Sequence, residues 1–317
     1  MDKIKLNLFD LKPKEDLIKV RDFFSKSILR WFNEDKTPKS KYFEIRKCPL
    51  CGAEHSEEVF KLENFSYHKC FLCNSLYTKP HLKDGVLDAL YNDGTYQVYQ
   101  DSLVKKGSKI RKGVLENRKF KQISQFLDKK NIALLDVGCG GGTFLEVCKE
   151  HNWQVEGVDP SKEALKKDIN ITIGDFNNID FDKKYDVITF WGVLEHLFDP
   201  ILAISKANQI INKGGLLVFE VPSADSFLGE YLKKYDFAPT RYIESGRHNI
   251  FFSHKLIKKV AEEEGLDVEL IESNGLDMQT IILEEFDETI TDKIINIQDI
   301  LNDLLLGDHY RVFLRKK

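Results

Sequence analysis

One stretch constrains the fold more than any other: Leu134-Leu135-Asp136-Val137-Gly138-Cys139-Gly140-Gly141-Gly142-Thr143-Phe144. An apolar run ends in an aspartate and a burst of glycines. Glycines let the backbone turn sharply and approach a ligand without Cβ clashes. A helix from Thr143 would turn its N-terminal N–H groups toward that ligand. Beyond the loop, strand-like and helix-like runs alternate. The strand-like runs are Ala133–Val137, Gln154–Val158, Ile169–Ile173, Tyr185–Phe190, Gly215–Glu220, Asp267–Ile271 and His309–Leu314. Helical runs at 143–152, 161–167, 199–212, 254–264 and 288–306 separate most of them, and another at 114–130 leads into the first. The alternation predicts βαβ units and a parallel sheet covered on both faces, with the last strand open to antiparallel insertion.

The loop alone does not name its ligand. A dinucleotide fingerprint would place glycine at position 143, where this chain has Thr143. Asp159 stands 19 residues after Gly140, at the end of the next strand, where an acid accepts hydrogen bonds from two ribose hydroxyls. Asp175 and Phe176 follow the third strand, and an acid with an aromatic there suits an adenine amino group and ring. The fourth strand runs through Phe190 and Trp191 into Glu195-His196.

Together LLDVGCGGG, GVDPS, GDF, YDVITFWGVLEHLFDP and NKGGLLVFEVP resemble the class I S-adenosylmethionine-dependent methyltransferases, in that family's order and over residues 114–315. The resemblance implies an α/β, Rossmann-like seven-stranded methyltransferase sheet whose last strand is antiparallel. It implies that Gly138 and Gly140 pass under the methionine part of S-adenosylmethionine, that Asp136 orients the loop or the methionine amino group, and that Phe190 and Trp191 close the pocket. Arg118, on the preceding helix, is a candidate for the methionine carboxylate, or else a solvated surface arginine.

Cys48-Pro-Leu-Cys51 and Cys70-Phe-Leu-Cys73 are separated by 18 residues. Two CxxC turns at this spacing aim four thiolates at one tetrahedral Zn2+, with Gly52 and Asn74 suited to the tight turns. A four-thiolate site has no open position, so the zinc would be structural. His55, His68 and His81 are nearby, and His68 is a possible substitute ligand. Paired buried or disulfide-bonded cysteines are the bland alternative. Cys139 in the loop reads as a filler.

A methyl acceptor with a hydroxyl or acidic carbon needs a proton acceptor, so histidines at strand ends matter. His248 is the first candidate and His196 the second; each has a structural alternative. The stretch HNIFFS, with the zinc knuckles ahead of it, resembles bacterial sugar methyltransferases that carry an N-terminal zinc-binding domain, among them a TDP-sugar C-methyltransferase. That group has an acid–His pair here, whereas this chain has Arg247, which puts C-methylation in doubt. The resemblance implies a small-molecule acceptor, a saccharide or nucleotide sugar in carbohydrate biosynthesis, modified on a hydroxyl or carbon. His254 is expected to begin a helix, and Tyr91, Tyr96, Tyr99, Tyr235 and Tyr242 are candidate pocket linings.

The expected organisation is a helical segment at 1–42, a zinc-binding domain at 43–82, a connecting segment covering the active site at 83–113, and the methyltransferase domain at 114–317. An N-terminus without an apolar core and the lack of a long uncharged apolar window give no signal peptide or membrane span, hence a cytoplasmic expectation. A net charge of −4 gives no general pull toward nucleic acid. The alternatives are an rRNA base methyltransferase with a zinc knuckle and a non-catalytic zinc-ribbon binding protein. Monomer and homodimer both remain open, with helix 288–306 as a possible dimer face or lid.

Overall fold

Helix α1 (Lys14–Ile28) buries Val20, Phe24 and Ile28, four residues apart and so on one face. A 3-10 turn (Leu29–Trp31) continues it and drives Trp31 into the interior. Strand β1 (Phe43–Glu44) follows. Then β2 (Ser56–Leu62) and β3 (Phe65–Cys70) form a hairpin whose two turn residues, Glu63 and Asn64, both have positive φ, of 48° and 71°. Such a turn matches the twist of the flanking strands. Strands β4 (Leu76–Thr78) and β5 (His81–Leu82) and helix α2 (Val86–Asn92) complete the N-terminal part.

A π-helical turn (Arg111–Glu116) leads into α3 (Asn117–Ser124). There follow β6 (Ala133–Val137), α4 (Thr143–Glu150), β7 (Gln154–Asp159), β8 (Asn170–Ile173), β9 (Tyr185–Trp191), α5 (Pro200–Ile210) and β10 (Ile211–Pro222). Next come α6 (Phe227–Lys234), β11 (Ile250–Phe251), α7 (His254–Glu263), β12 (Leu266–Ser273), α8 (Asp277–Ile281), α9 (Asp292–Asp303) and β13 (His309–Lys316). This computed structural model describes residues 14–92, 94, 111–165, 168–235, 242–282 and 292–317. Tyr96, Tyr99 and residues 288–291 of the expected helix 288–306 lie outside them, as does the side chain of Tyr91.

Seven strands form one sheet in the order β12-β13-β10-β9-β6-β7-β8. Strands β6 to β10 run parallel, and β13 is inserted antiparallel to both β10 and β12. The expected seven-stranded Rossmann-like sheet is therefore present. The chain moves outward from β6 to β7 and β8, then returns to β9 on the other side of β6. Ligands of open α/β sheets bind beyond the carboxyl ends of strands at such a reversal. The run at 161–167 forms only a 3-10 turn (Lys162–Ala164) among its described residues, shorter than a helix needs to propagate.

A four-stranded sheet has the order β11-β4-β3-β2. Three of its strands belong to the cysteine-bearing segment, but β11 comes from the far half of the chain. It pairs antiparallel with β4, Ile250 opposite Tyr77 and Phe251 opposite Leu76. Ser253 seals the junction: its hydroxyl donates to the Cys73 carbonyl while its N–H donates to Ser75 Oγ at 3.0 Å. Trp31 packs on the same segment, since a Cβ on Gly246 would fall 2.8 Å from Trp31 Cζ3.

Candidate active site

The glycine loop leaves β6 with backbone angles that favour glycine. Gly138 has φ +69°, and a Cβ there would meet Val193 Cγ2 at 2.3 Å. Gly140 has φ +50°, and no atom lies within 4 Å of where its Cβ would stand, so its exposed side faces open space. Its N–H donates to Asp159 Oδ2 at 2.8 Å, and Asp159 Oδ1 accepts from Ser161 N at 2.9 Å. Asp159 thus ties the loop after β6 to the end of β7, and burial raises its carboxyl above the usual range. A Cβ on Gly157 would fall 2.6 Å from Cys139 Sγ, so Cys139 fills the space behind the loop.

The loop opens on a cavity of about 400 Å³ at the sheet reversal. Asp136, Gly138, Gly140, Asp159, Asp175, Phe176, Trp191, His196 and His248, all singled out from the sequence, are brought together around it. Asp136 accepts from Thr189 Oγ1 at 2.6 Å, and burial pushes its carboxyl up to about 7. Asp175 caps the turn at 176–178, accepting from Asn177 N at 3.0 Å. Trp191 Nε1 is buried without a hydrogen-bond partner, an orphan donor beside the cavity. An open loop, an acid at the end of β7 and an unpaired donor fit a nucleoside-bearing cofactor.

Two of the expected residues do not line the cavity. Phe190 is fully buried and meets Phe176 edge-on at 5.5 Å; it does not line the cavity. Adjacent strand residues point to opposite faces, so Trp191 takes the cavity and Phe190 the core. Arg118 is also not among the lining residues. It lies partly buried, where desolvation, and then the charge of Arg311, lower its pKa. Lys119, one residue on and about 100° around the helix, lines the cavity instead, 4.4 Å over the Trp191 ring and 3.0 Å from Glu116 Oε2. The sequence signal for Lys119 was the same basic pair, with no periodicity to choose between its members.

Across the cavity, His196 and His248 face each other at 5.1 Å between ring centroids. His196 sits on the 3-10 turn after β9, and its Nδ1 lies 2.8 Å from the Arg247 carbonyl. His248 Nδ1 lies 2.6 Å from the Tyr242 carbonyl. A carbonyl only accepts, so both Nδ1 atoms carry hydrogen and Nε2 is the acceptor on each ring. Burial lowers the pKa of His248 to about 4 and that of His196 well below its ordinary value, so both are neutral near pH 7. Burial pushes the Glu195 carboxyl up to about 8. Arg247 stands where an acid was expected, but Glu244, three residues earlier, forms an ion pair with it and also lines the cavity. Sequence reasoning missed Glu244 because the partner lies one turn back along the backbone. Tyr242 lines the cavity, whereas Tyr235 is exposed against Tyr231. His254 begins α7 behind the Ser253 cap, as expected.

The four cysteines come together as their spacing predicts. Cys48 Sγ lies 3.8 Å from Cys73 Sγ, and Cys51 Sγ lies 3.6 Å from Cys70 Sγ. A tetrahedron of 2.3 Å zinc–sulfur bonds has edges of about 3.8 Å, so the sulfurs fit that ion. Each knuckle closes alike: Gly52 N donates to Cys48 O and Asn74 N to Cys70 O, both at 2.9 Å, with Gly52 and Asn74 at positive φ. None of the four is in a disulfide, and His68 is not part of the cluster; its Nδ1 lies 3.5 Å from Ser56 Oγ.

Comparison with known proteins agrees with this geometry. Residues 111–271, half of the chain, match the family described as a methyltransferase domain. The chain is 29% identical over 156 residues to the ubiquinone biosynthesis O-methyltransferase of Nitrosospira multiformis, covering 43% of this chain and 63% of that one. It is 34% identical over 112 residues to the enzyme of the same name from Coxiella burnetii, covering 32% and 48%. The chain thus spans less than two thirds of these relatives. The crystal structure of magnesium protoporphyrin IX methyltransferase from Synechocystis PCC 6803 with bound SAH superposes with a TM-score of 0.52 at 12% identity, covering 74% of this chain and all of that one. The chain belongs to the methyltransferase-domain family, and its sheet is the class I S-adenosylmethionine-dependent methyltransferase fold. Among the described residues no helix is long and apolar enough to cross a membrane.

Proposed function

We propose that the protein transfers a methyl group from S-adenosylmethionine to a hydroxyl of a small polar acceptor, with a sugar or nucleotide sugar as the acceptor class. The observation that carries this reading is one cavity with the glycine loop and Asp159 on one side and the two neutral histidines on the other. Asp159 faces the ribose hydroxyls, Asp175 and Phe176 the adenine, and Lys119 the methionine carboxylate. The cofactor supplies an electrophilic methyl group. His248 accepts the hydroxyl proton at Nε2, and His196 positions the acceptor beside it. Aligning nucleophile and methyl is the main contribution of such a site.

The acceptor side carries imidazoles, the Glu195 carboxyl and the Glu244–Arg247 pair, groups that suit a molecule dense in hydroxyls. The names of the relatives favour a second reading, a hydroxyl on a ubiquinone precursor. Turnover of labelled cofactor on nucleotide sugars against hydroxylated quinone precursors separates the two. Cys48, Cys51, Cys70 and Cys73 hold a structural zinc in this reading. The primary test is calorimetry with S-adenosylhomocysteine: no binding removes the methyl-transfer reading altogether. Given binding, His248→Ala should keep cofactor affinity and lose turnover at least 100-fold, within the range for a general base. Full activity would remove His248 from the mechanism.

A further inference from the structure

Glu195, His196 and His248 hold more order than a proton acceptor requires. One donor atom from each lies within 4.8 Å of the other two. Both imidazoles donate Nδ1–H to backbone carbonyls, of Arg247 at 2.8 Å and Tyr242 at 2.6 Å. That second hydrogen bond is what fixes the tautomer and ring direction of metal-binding histidines. Glu195 lines the same cavity, is only 2% exposed, and leaves its Oε2 without a hydrogen-bond partner. A buried carboxyl oxygen left unmatched is costly, so its persistence in a cavity wall points to something that occupies it.

We propose that Glu195, His196 and His248 bind one divalent first-row transition-metal ion, with its open positions turned into the cavity toward the methyl acceptor. The inference rests on the methyl-transfer reading above and replaces its proton acceptor. Two imidazoles and one carboxylate are a ligand set for such ions, and they leave positions vacant in a five- or six-coordinate shell. Bonds of about 2.1 Å put neighbouring donors of such a shell about 3 Å apart and opposite donors about 4.2 Å apart, against donor atoms within 4.8 Å of one another here. An ion with two adjacent vacancies selects acceptors that offer two neighbouring oxygens, such as a vicinal diol. The site is separate from the cysteine cluster, whose four thiolates would close around their own ion. With the ion in place His248 is a ligand, which replaces the proton-acceptor role given to it above: the ion lowers the pKa of the bound acceptor hydroxyl, whose proton passes to solvent.

The test uses the full-length protein with its cysteine site loaded with zinc. It is titrated with Mn2+, followed by the resonance of the free ion, and separately with Co2+, followed by visible absorption. Oxygen and nitrogen ligands give Co2+ weak bands unlike the intense charge-transfer bands of a thiolate site. The expected result is one further equivalent bound by the wild type. Binding should weaken more than tenfold in Glu195→Gln and His248→Gln, each checked for retained S-adenosylhomocysteine binding. Broadening of histidine ring protons by Mn2+ in the wild type gives a readout that needs no variant. Binding of neither ion, or unchanged binding in both variants, overturns the proposal. If S-adenosylhomocysteine binds and the ions do not, methyl transfer stands and only the metal site falls. If S-adenosylhomocysteine also fails to bind, the underlying reading falls with it.

Discussion

Asp159 uses both carboxylate oxygens on backbone N–H groups, of Gly140 and Ser161, while lining the cavity. Its removal therefore loosens the loop and, on the proposed reading, deletes the ribose contact as well. A hydrogen bond to a charged group contributes about 1.5–3 kcal/mol. Asp159→Ala should weaken S-adenosylhomocysteine binding by roughly 10–100-fold, read by calorimetry. Gly138→Ala should cost about 2 kcal/mol or more in denaturant unfolding, because the new methyl meets Val193 at 2.3 Å and the backbone angle is left-handed. Both residues were legible in the sequence, since glycine and aspartate at a strand end have a stated mechanical reason. Naming Arg118 and not Lys119, or Phe190 together with Trp191, was a reading of sequence neighbours. It turns on which face of an element is inward, and a basic pair or an aromatic pair contains no answer.

Strand β13 illustrates what an element adds. Arg311 on it stands directly across from Glu220 on β10 and Glu272 on β12. It donates to Glu220 Oε2 through Nη2 at 2.6 Å and Nε at 3.0 Å, and through Nη1 to Gln122 of α3 at 2.8 Å. The antiparallel insertion thereby clamps the helix that carries Lys119. Although burial opposes it, the Arg311 charge holds Glu220 down at about 2 from its usual 4.5. A depressed carboxyl contributes stability that is present above the unfolded value and lost as pH falls toward the folded one. Unfolding free energy should therefore fall between about pH 4.5 and 2 on this account. Arg311→Met should be about 3 kcal/mol less stable at pH 7, by removal of one partner of a buried pair, and should show a shallower fall over that acid range. Denaturant midpoints at several pH values check both. The order of strands and helices was readable from alternating patterns, including the antiparallel end. Strand β11 was not, since two residues, Ile250 and Phe251, carry no period. Helix α6 was missed too; only its Ser226 cap, accepting from Gly229 N at 2.9 Å, marks its start.

At the scale of the molecule, the cysteine-bearing segment and the proposed acceptor side share a sheet. Ile250 and Phe251 complete its sheet, and His248 stands two residues before them. The glycine loop and Asp159 hang instead from β6 and β7, on the other sheet. On the proposed reading that the four cysteines hold zinc, making Cys48→Ser with Cys70→Ser should therefore cut turnover about 100-fold, the cost of displacing a catalytic group by about 1 Å. S-adenosylhomocysteine affinity should change little. Equal loss of both would mean that the segment supports the whole fold and not the acceptor side in particular. The shared sheet also sets an order of events in the making of the protein. Phe251 leaves the ribosome 175 residues after its partner Leu76. At 5–20 residues per second that is roughly 10–35 s in which β4 presents an unpaired edge. The earlier-synthesised of the two paired parts is thus among the last to be finished, and the histidine beside the seam reaches its place only when the two have met.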